Sequence, residues 1–150
     1  MHLSDGIWLS FEEDFKVFKH KQKSAANAIC ALLRQLLEFY PELITRKMLE
    51  KFNNDRPLYV TSVATLWEEF IDANLRAPSN EIICVLDALD ECQEPNRFDL
   101  IKNICEYAQD SRIAPKIKLL VTSRLYSDVK HGFYDFEKVM VKDPSRRKRR

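Results

Sequence analysis

The sequence is poor in glycine: among its 150 residues there are two, Gly6 and Gly132. A phosphate-cradling G-x-x-x-x-G-K-[ST] loop needs two glycines at fixed spacing and a dinucleotide fingerprint needs three, so neither motif occurs within these residues. The same scarcity excludes collagen-like and Gly/Ser-linker character. Cysteine is also sparse. Cys30, Cys84, Cys92 and Cys105 form no C-x-x-C pair, and no histidine lies near them at metal-ligand spacing. Cys30, Cys84 and Cys105 sit in apolar segments and read as small, reduced core residues, whereas Cys92 follows an acidic cluster and is expected nearer the surface. His2, His20 and His131 are scattered and read as surface groups without a catalytic role. No apolar run approaches the length of a membrane-spanning helix. The N-terminus lacks the basic and then apolar regions of a secretory signal. An intracellular, cytoplasmic setting is expected.

What is present is a nearly balanced charge, +1 overall, that conceals an asymmetry. Residues 146–150 read Arg-Arg-Lys-Arg-Arg. Without that run, 19 basic side chains face 23 acidic ones, a net charge of −4. The body therefore lacks the field of a nucleic-acid binder, and nucleic-acid contact is expected only as nonspecific contact by the basic tail. The run itself can act as a nuclear-localisation or polyanion-binding patch, or simply as a solvated terminus.

Hydrophobic spacing predicts an α/β chain. Phe15–Phe18 alternates with period two and is a weak strand candidate. Ser24 reads as the N-cap of an amphipathic helix whose apolar stripe is Ile29, Leu32, Leu33, Leu36, Leu37 and Tyr40, ending near Pro41. A short helix is expected over 42–52, then a loop over 53–57. Thr61 or Ser62 caps the next helix, with Val63, Leu66, Trp67, Phe70 and Ile71 on its inner face. Turn chemistry follows at 77–80. Ile82–Leu86 is a continuous apolar run, as in a strand buried on both faces of a parallel sheet. Asn96 caps a helix with Phe98, Ile101, Ile104, Cys105 and Ala108 facing inward. Ile117–Val121 repeats the buried-strand pattern, and Val139–Val141 is a weaker one. Strand, helix, strand at these lengths implies a right-handed βαβ crossover.

The informative stretch runs from Ile82 to Glu91. Five apolar residues carry the chain through the core, and Asp87 stands where the strand emerges. Ligands of open parallel sheets bind beyond the carboxyl ends of strands. Three carboxylates within five residues, Asp87, Asp90 and Glu91, repel one another unless a cation or donors satisfy them. Magnesium, held by one or two carboxylates, water and phosphate oxygens, suits such a place, and a further acid could orient an attacking water. Helix-capping or loop acids are the plain alternative. The second strand ends in Thr122-Ser123-Arg124, and the crossover brings these to the same edge. Arg124 could contact a phosphate through its planar fork, or form an internal ion pair with Asp90 or Glu91.

The string Cys84-Val85-Leu86-Asp87-Ala88-Leu89-Asp90-Glu91-Cys92, followed by Leu119-Leu120-Val121-Thr122-Ser123-Arg124, closely resembles fungal NACHT domains of the STAND class of P-loop NTPases, of the nephrocystin-like N-terminal type. Lys23-Ser24-Ala25, Ala31–Leu36 and Leu66-Trp67 are similar to the helices preceding that motif, and the likeness runs from about Phe15 to Phe133. The resemblance implies a three-layer P-loop sheet in which Asp87 lies on the Walker B strand and helps hold Mg²⁺. It places Glu91, with Asp90, near the attacking water. Arg124 takes the sensor position beside ATP or GTP, with Thr122 and Ser123 at the same nucleotide edge. The chain departs from the pattern in two places: it carries no Walker A loop, and Leu125 stands where the family usually has proline.

The expected organisation is an unassigned segment 1–14, a partial NACHT domain over 15–142 without its first P-loop strand, and a basic disordered tail over 143–150. By analogy the family sheet order is 5-1-4-3-2, so the segments near Phe15–Phe18, Ile82–Leu86 and Ile117–Val121 become neighbours. The outer edge of the last is then open unless Ile7–Phe11 or Val139–Val141 fills it, and an open edge invites association. Without the cradle of backbone amides and lysine, most charge-assisted phosphate contacts are missing. The expectation is an NTPase module of a signalling or incompatibility receptor that neither binds nor hydrolyses ATP or GTP alone and needs no cofactor as an isolated chain. It could dock on full-length NACHT relatives, self-associate through the open edge, or be completed in trans by a partner bearing Walker A. An Mg-dependent hydrolase using Asp87, Asp90 and Glu91 without a P-loop is a further alternative.

Overall fold

A computed structural model describes the backbone of residues 7–10 and, in full, residues 24–94 and 96–136. Three parallel strands form one sheet in the order β1-β2-β3: β1 is Ile7–Ser10, β2 Ile82–Leu86 and β3 Ile117–Val121. The register aligns Ile7 with Ile82 and Ile82 with Ile117. The sheet thus begins within the segment left unassigned by the sequence. Ile7–Ser10 lies beside β2, so it does not fill the outer edge of β3. The strand candidates Phe15–Phe18 and Val139–Val141 lie outside the described residues, as does the basic run.

Between β1 and β2 lie α1 (Ala25–Phe39), a 3-10 turn at Pro41–Leu43, α2 (Arg46–Asn54), α3 (Arg56–Thr61) and α4 (Val63–Arg76). Ser24, Thr45, Asp55 and Ser62 each cap the helix that follows by accepting a backbone N–H three residues on. The expected loop at 53–57 is instead the end of α2 and the start of α3. Its turn-forming residues serve as helix starters: Asp55 accepts from Leu58 N at 3.2 Å, and Pro57 sits in the first turn, where its missing N–H costs nothing.

The buried stripe of α1, Ile29, Leu32, Leu33 and Leu36, packs against that of α4, Val63, Leu66, Trp67 and Phe70. The Lys51 ammonium of α2 reaches the buried Glu69 carboxylate of α4 at 2.6 Å. Lys116, just before β3, donates to Leu75 O at 2.9 Å and Ala77 O at 2.7 Å, supplying a cation and donors at the end of α4. Burial holds its ammonium below the usual lysine range.

The second crossover is α5 (Asn96–Gln109), and α6 (Ser127–Gly132) follows β3. Leu100, Ile101, Ile104 and Tyr107 are buried on α5, but Phe98 is 61% exposed and does not belong to the inner face. The stripe is phased one residue earlier than expected, on Leu100, Ile104 and Tyr107. α6 lies close on α5: a Cβ at Gly132 would clash with Ile101, and Cys105 Sγ sits 3.2 Å from Gly132 O.

Helices α1, α4 and α5 contact one another and form one layer. Consecutive right-handed crossovers that advance in one direction place their helices on one side of a sheet. The described residues therefore make two layers, not the expected three. Residues Ile82, Cys84 and Leu86 of β2 are buried beneath the helices; Ile83 and Val85 on the opposite face are half-buried. In β3, Ile117 is buried while Lys118 and Leu120 are exposed, so this strand is not buried on both faces. Among the described residues β3 pairs only with β2. Burial pushes the Cys84 thiol up to about 12, which keeps it protonated and inert. The four cysteines form no disulfide among the described residues, and Cys30, Cys92 and Cys105 are half-buried.

Candidate functional site

The carboxyl ends of β2 and β3 are adjacent because the register carries Leu86 to Val121. Thr122 N donates to Leu86 O at 2.9 Å, and Leu89 N donates to Thr122 O at 2.9 Å. These bonds extend the ladder past both strands and fix the two loops against each other. Between them the chain turns at Ala88, the one non-glycine residue with positive φ (54°) among the described residues. A left-handed alanine costs about 1 kcal/mol. Here it aims Ala88 N at Thr122 Oγ1, 3.0 Å away, while the Thr122 hydroxyl donates to Asp87 Oδ1. Thr122 thereby satisfies its own polar groups and orients Asp87, whose residue remains exposed.

The next acid has a different surrounding. The Asp90 side chain is 6% exposed. Its Oδ1 accepts from Arg124 N at 3.0 Å and lies 3.3 Å from Ser123 Oγ, and its Oδ2 lies 3.6 Å from Arg124 Nε. The Ser123 hydroxyl can alternatively donate to Arg124 O at 2.9 Å. Asp90 thus staples the β2 loop to the β3 loop, and the internal Arg124–Asp90 ion pair read from the sequence is present. Arg124 itself is largely exposed, and Glu91, in the 3-10 turn Leu89–Glu91, is exposed beside it. The edge therefore brings Asp87, Asp90, Glu91, Thr122, Ser123 and Arg124 together; Asp87, Glu91, Thr122 and Arg124 face water substantially, whereas Asp90 and Ser123 are more covered.

Beneath this edge lies a cation that the sequence reading missed. The Arg97 side chain is 11% exposed. Its guanidinium donates to Asp90 O (2.9 Å), Cys92 O (3.2 Å), Glu94 Oε1 (2.7 Å) and Asp128 Oδ2 (2.6 Å), and it lies 5.9 Å from the Tyr126 ring centroid. One side chain thus ties the acidic loop, the first turn of α5 and the start of α6. A local signal exists in hindsight: a cation in the first turn of a helix opposes the macrodipole and calls for carboxylate partners. For Asp128, burial pushes the carboxyl up, but the Arg97 hydrogen bond, backbone N–H donors and the Arg97 charge together bring it below the usual carboxylate range.

The two acids should respond differently to removal. Asp90→Ala is expected to cost about 2 kcal/mol, because it leaves the loop donors without an acceptor at a covered position. Asp87→Ala should cost less than about 1 kcal/mol, since water can replace its exposed carboxylate. Urea unfolding midpoints check this, and equal losses would contradict the division of roles. No group of three or more His, Cys, Asp or Glu side chains converges as a metal cage among the described residues.

A parallel sheet with covering helices and a polar, acid-bearing edge at the strand ends defines a mixed α/β protein of the open-sheet kind. Residues 14–124 match the family model described as Nephrocystin 3, N-terminal, and the chain belongs to that family. No curated protein and no solved structure matches the chain. No helix among the described residues is long and apolar enough to cross a membrane.

Proposed function

We propose that the chain is the Walker B and sensor portion of a NACHT-type NTPase switch module, of the kind found in STAND signalling receptors, and that alone it neither binds nor hydrolyses ATP or GTP. The observation that carries the reading is the coincidence, at one sheet edge, of Asp87 after β2 and Thr122–Arg124 after β3 in a parallel β1-β2-β3 order. That order fits the 2-3-4 part of a 5-1-4-3-2 sheet. In such a sheet the strand carrying the phosphate loop would lie along the outer edge of β3, and its helix would cover the face that bears Ile83, Val85 and Leu120. Those three residues are half-buried or exposed, as that placement requires.

The groups such a module handles are Mg²⁺ and a nucleoside triphosphate. Asp87 offers one exposed carboxylate, with one oxygen already engaged by the Thr122 hydroxyl. Asp90 is turned inward, and the sequence supplies no glycine-rich loop to hold phosphates. The residues present do not fit a triphosphate by themselves, since the carboxylates left at the edge would repel one. Calorimetric titration of the chain with Mg-ATP and Mg-GTP should therefore give no heat of binding at micromolar ligand. Micromolar affinity would overturn the reading.

The outer edge of β3, which pairs with no other strand among the described residues, favours a second reading, in which a Walker A-bearing partner completes the sheet in trans. Under that reading Glu91→Gln abolishes hydrolysis by the mixture, whereas under the first neither mixture is active.

A further inference from the structure

An open groove of about 510 Å³ lies between α4 and α5, away from the Asp87 edge. Trp67 and Leu75 of α4, with Ile113, supply apolar lining, and Glu68, Asp72, Glu106 and Asp110 supply the acidic lining. Arg112 is the cation among the lining residues, and it is already held by Asp110 at 2.7 Å. Arg76 lies against Asp72 at 3.0 Å and Lys102 against Glu106 at 3.8 Å. Such exposed pairs are worth little and exchange readily for better-placed donors.

We propose that this groove is the docking site of the chain's own basic run, residues 146–150. Three observations select that occupant. The run carries five cations and the rest of the chain is acidic, −4 in net charge, with four carboxylates gathered around this groove. Arginine also suits both parts of the site: its aliphatic stem lies over apolar surface while its fork reaches carboxylates bidentately.

Reach is sufficient as well. α6 packs on α5 at Ile101 and Cys105, and the groove is lined by Asn103, Glu106 and Tyr107 of the same helix. The path around α5 is of the order of one helix diameter, about 10–12 Å. Residues 137–145 can extend up to about 30 Å. A tether of this length gives an effective concentration in the millimolar range, which fills a site too weak to capture a free basic segment.

The test uses the full chain. A zero-length carbodiimide is applied to an equal mixture of unlabelled and ¹⁵N-labelled protein, and the links made by Lys148 are mapped by mass spectrometry. Lys148 should couple to Glu68, Asp72, Glu106 or Asp110 within one chain. These links should be lost in 1 M salt, where the Debye length falls to about 3 Å. Glu68→Gln combined with Asp72→Asn should reduce the remaining links to Glu106 and Asp110 severalfold. Replacing Arg146, Arg147, Lys148, Arg149 and Arg150 with glutamine should move the Trp67 indole resonance. Links between differently labelled chains would assign the groove to a second copy and overturn the proposal. Links spread over acids elsewhere, or an unmoved Trp67 signal, would overturn it too.

Discussion

Phe70→Ala should destabilise the chain by about 4 kcal/mol. Phe70 is fully buried on α4, among the largest side chains without solvent contact, and its ring lies 5.8 Å from that of Trp67. Trp67 in turn meets Tyr107 edge-on at 6.2 Å, so the three rings join α4 to α5. The Tyr107 hydroxyl donates to Ile117 O, which carries the chain of contacts to β3. Truncation removes the transfer free energy of the ring and leaves a cavity in the middle of this stack. Phe→Ala changes in cores cost about 3–5 kcal/mol. For a domain of this size, each kcal/mol lowers the melting temperature by about 2–4 °C, so a loss of about 10–15 °C is expected. Phe70→Leu keeps most of the volume and should cost less than half as much. Thermal and urea unfolding of both variants check the pair. A loss below about 1.5 kcal/mol for Phe70→Ala would mean that the α1–α4 layer is not the principal core.

Much of that layer could be read from the sequence because its signals are local. Ser24 and Ser62 cap the helices that follow, and the 3- and 4-residue spacing of apolar side chains selects the faces of α1 and α4 that are buried. β2 occupies Ile82–Leu86, as the apolar run indicates. The misreadings occur where one residue type has two uses. Asp55 and Pro57 belong equally to turns and to helix starts, and only packing of the following residues decides. Phe98 is apolar, but the phase of α5 is set by Leu100, Ile101 and Ile104, which leaves it outside. An apolar run such as Ile117–Val121 records burial in whatever assembly the strand belongs to. Among the described residues that burial is incomplete, and Leu120 stands exposed.

The candidate site was legible to a different extent. The identity of the edge residues follows from two apolar runs ending in polar groups, and the crossover brings those ends together. Their division of labour does not follow. Asp87, Asp90 and Glu91 look alike in sequence, and only the left-handed turn at Ala88 determines which of them points inward. The supporting cation is likewise hidden, because Arg97 meets Asp128 across 31 residues.

Arg97 is accordingly the polar residue whose loss should matter most. Arg97→Met keeps the stem but removes donors to two backbone carbonyls and leaves Asp128 without its partner. Breaking a covered pair by deleting one member costs about 3–5 kcal/mol when both charges are deeply buried. Asp128 is 21% exposed, so about 3 kcal/mol is expected. Arg97→Lys keeps the charge but not the fork, and it should recover less than half of the loss. The effect should also depend on pH. A carboxyl held below its ordinary range adds stability above its unfolded value, near 3.9, and that stability is lost as pH falls through the lower folded value. The difference between the native chain and Arg97→Met should therefore be full at neutral pH and narrow below about pH 4. Amide exchange should report the local consequence: residues 88–92 and 127–129 lose protection together while β2 keeps its own. Loss of protection in only one of the two loops would show that Arg97 does not couple them.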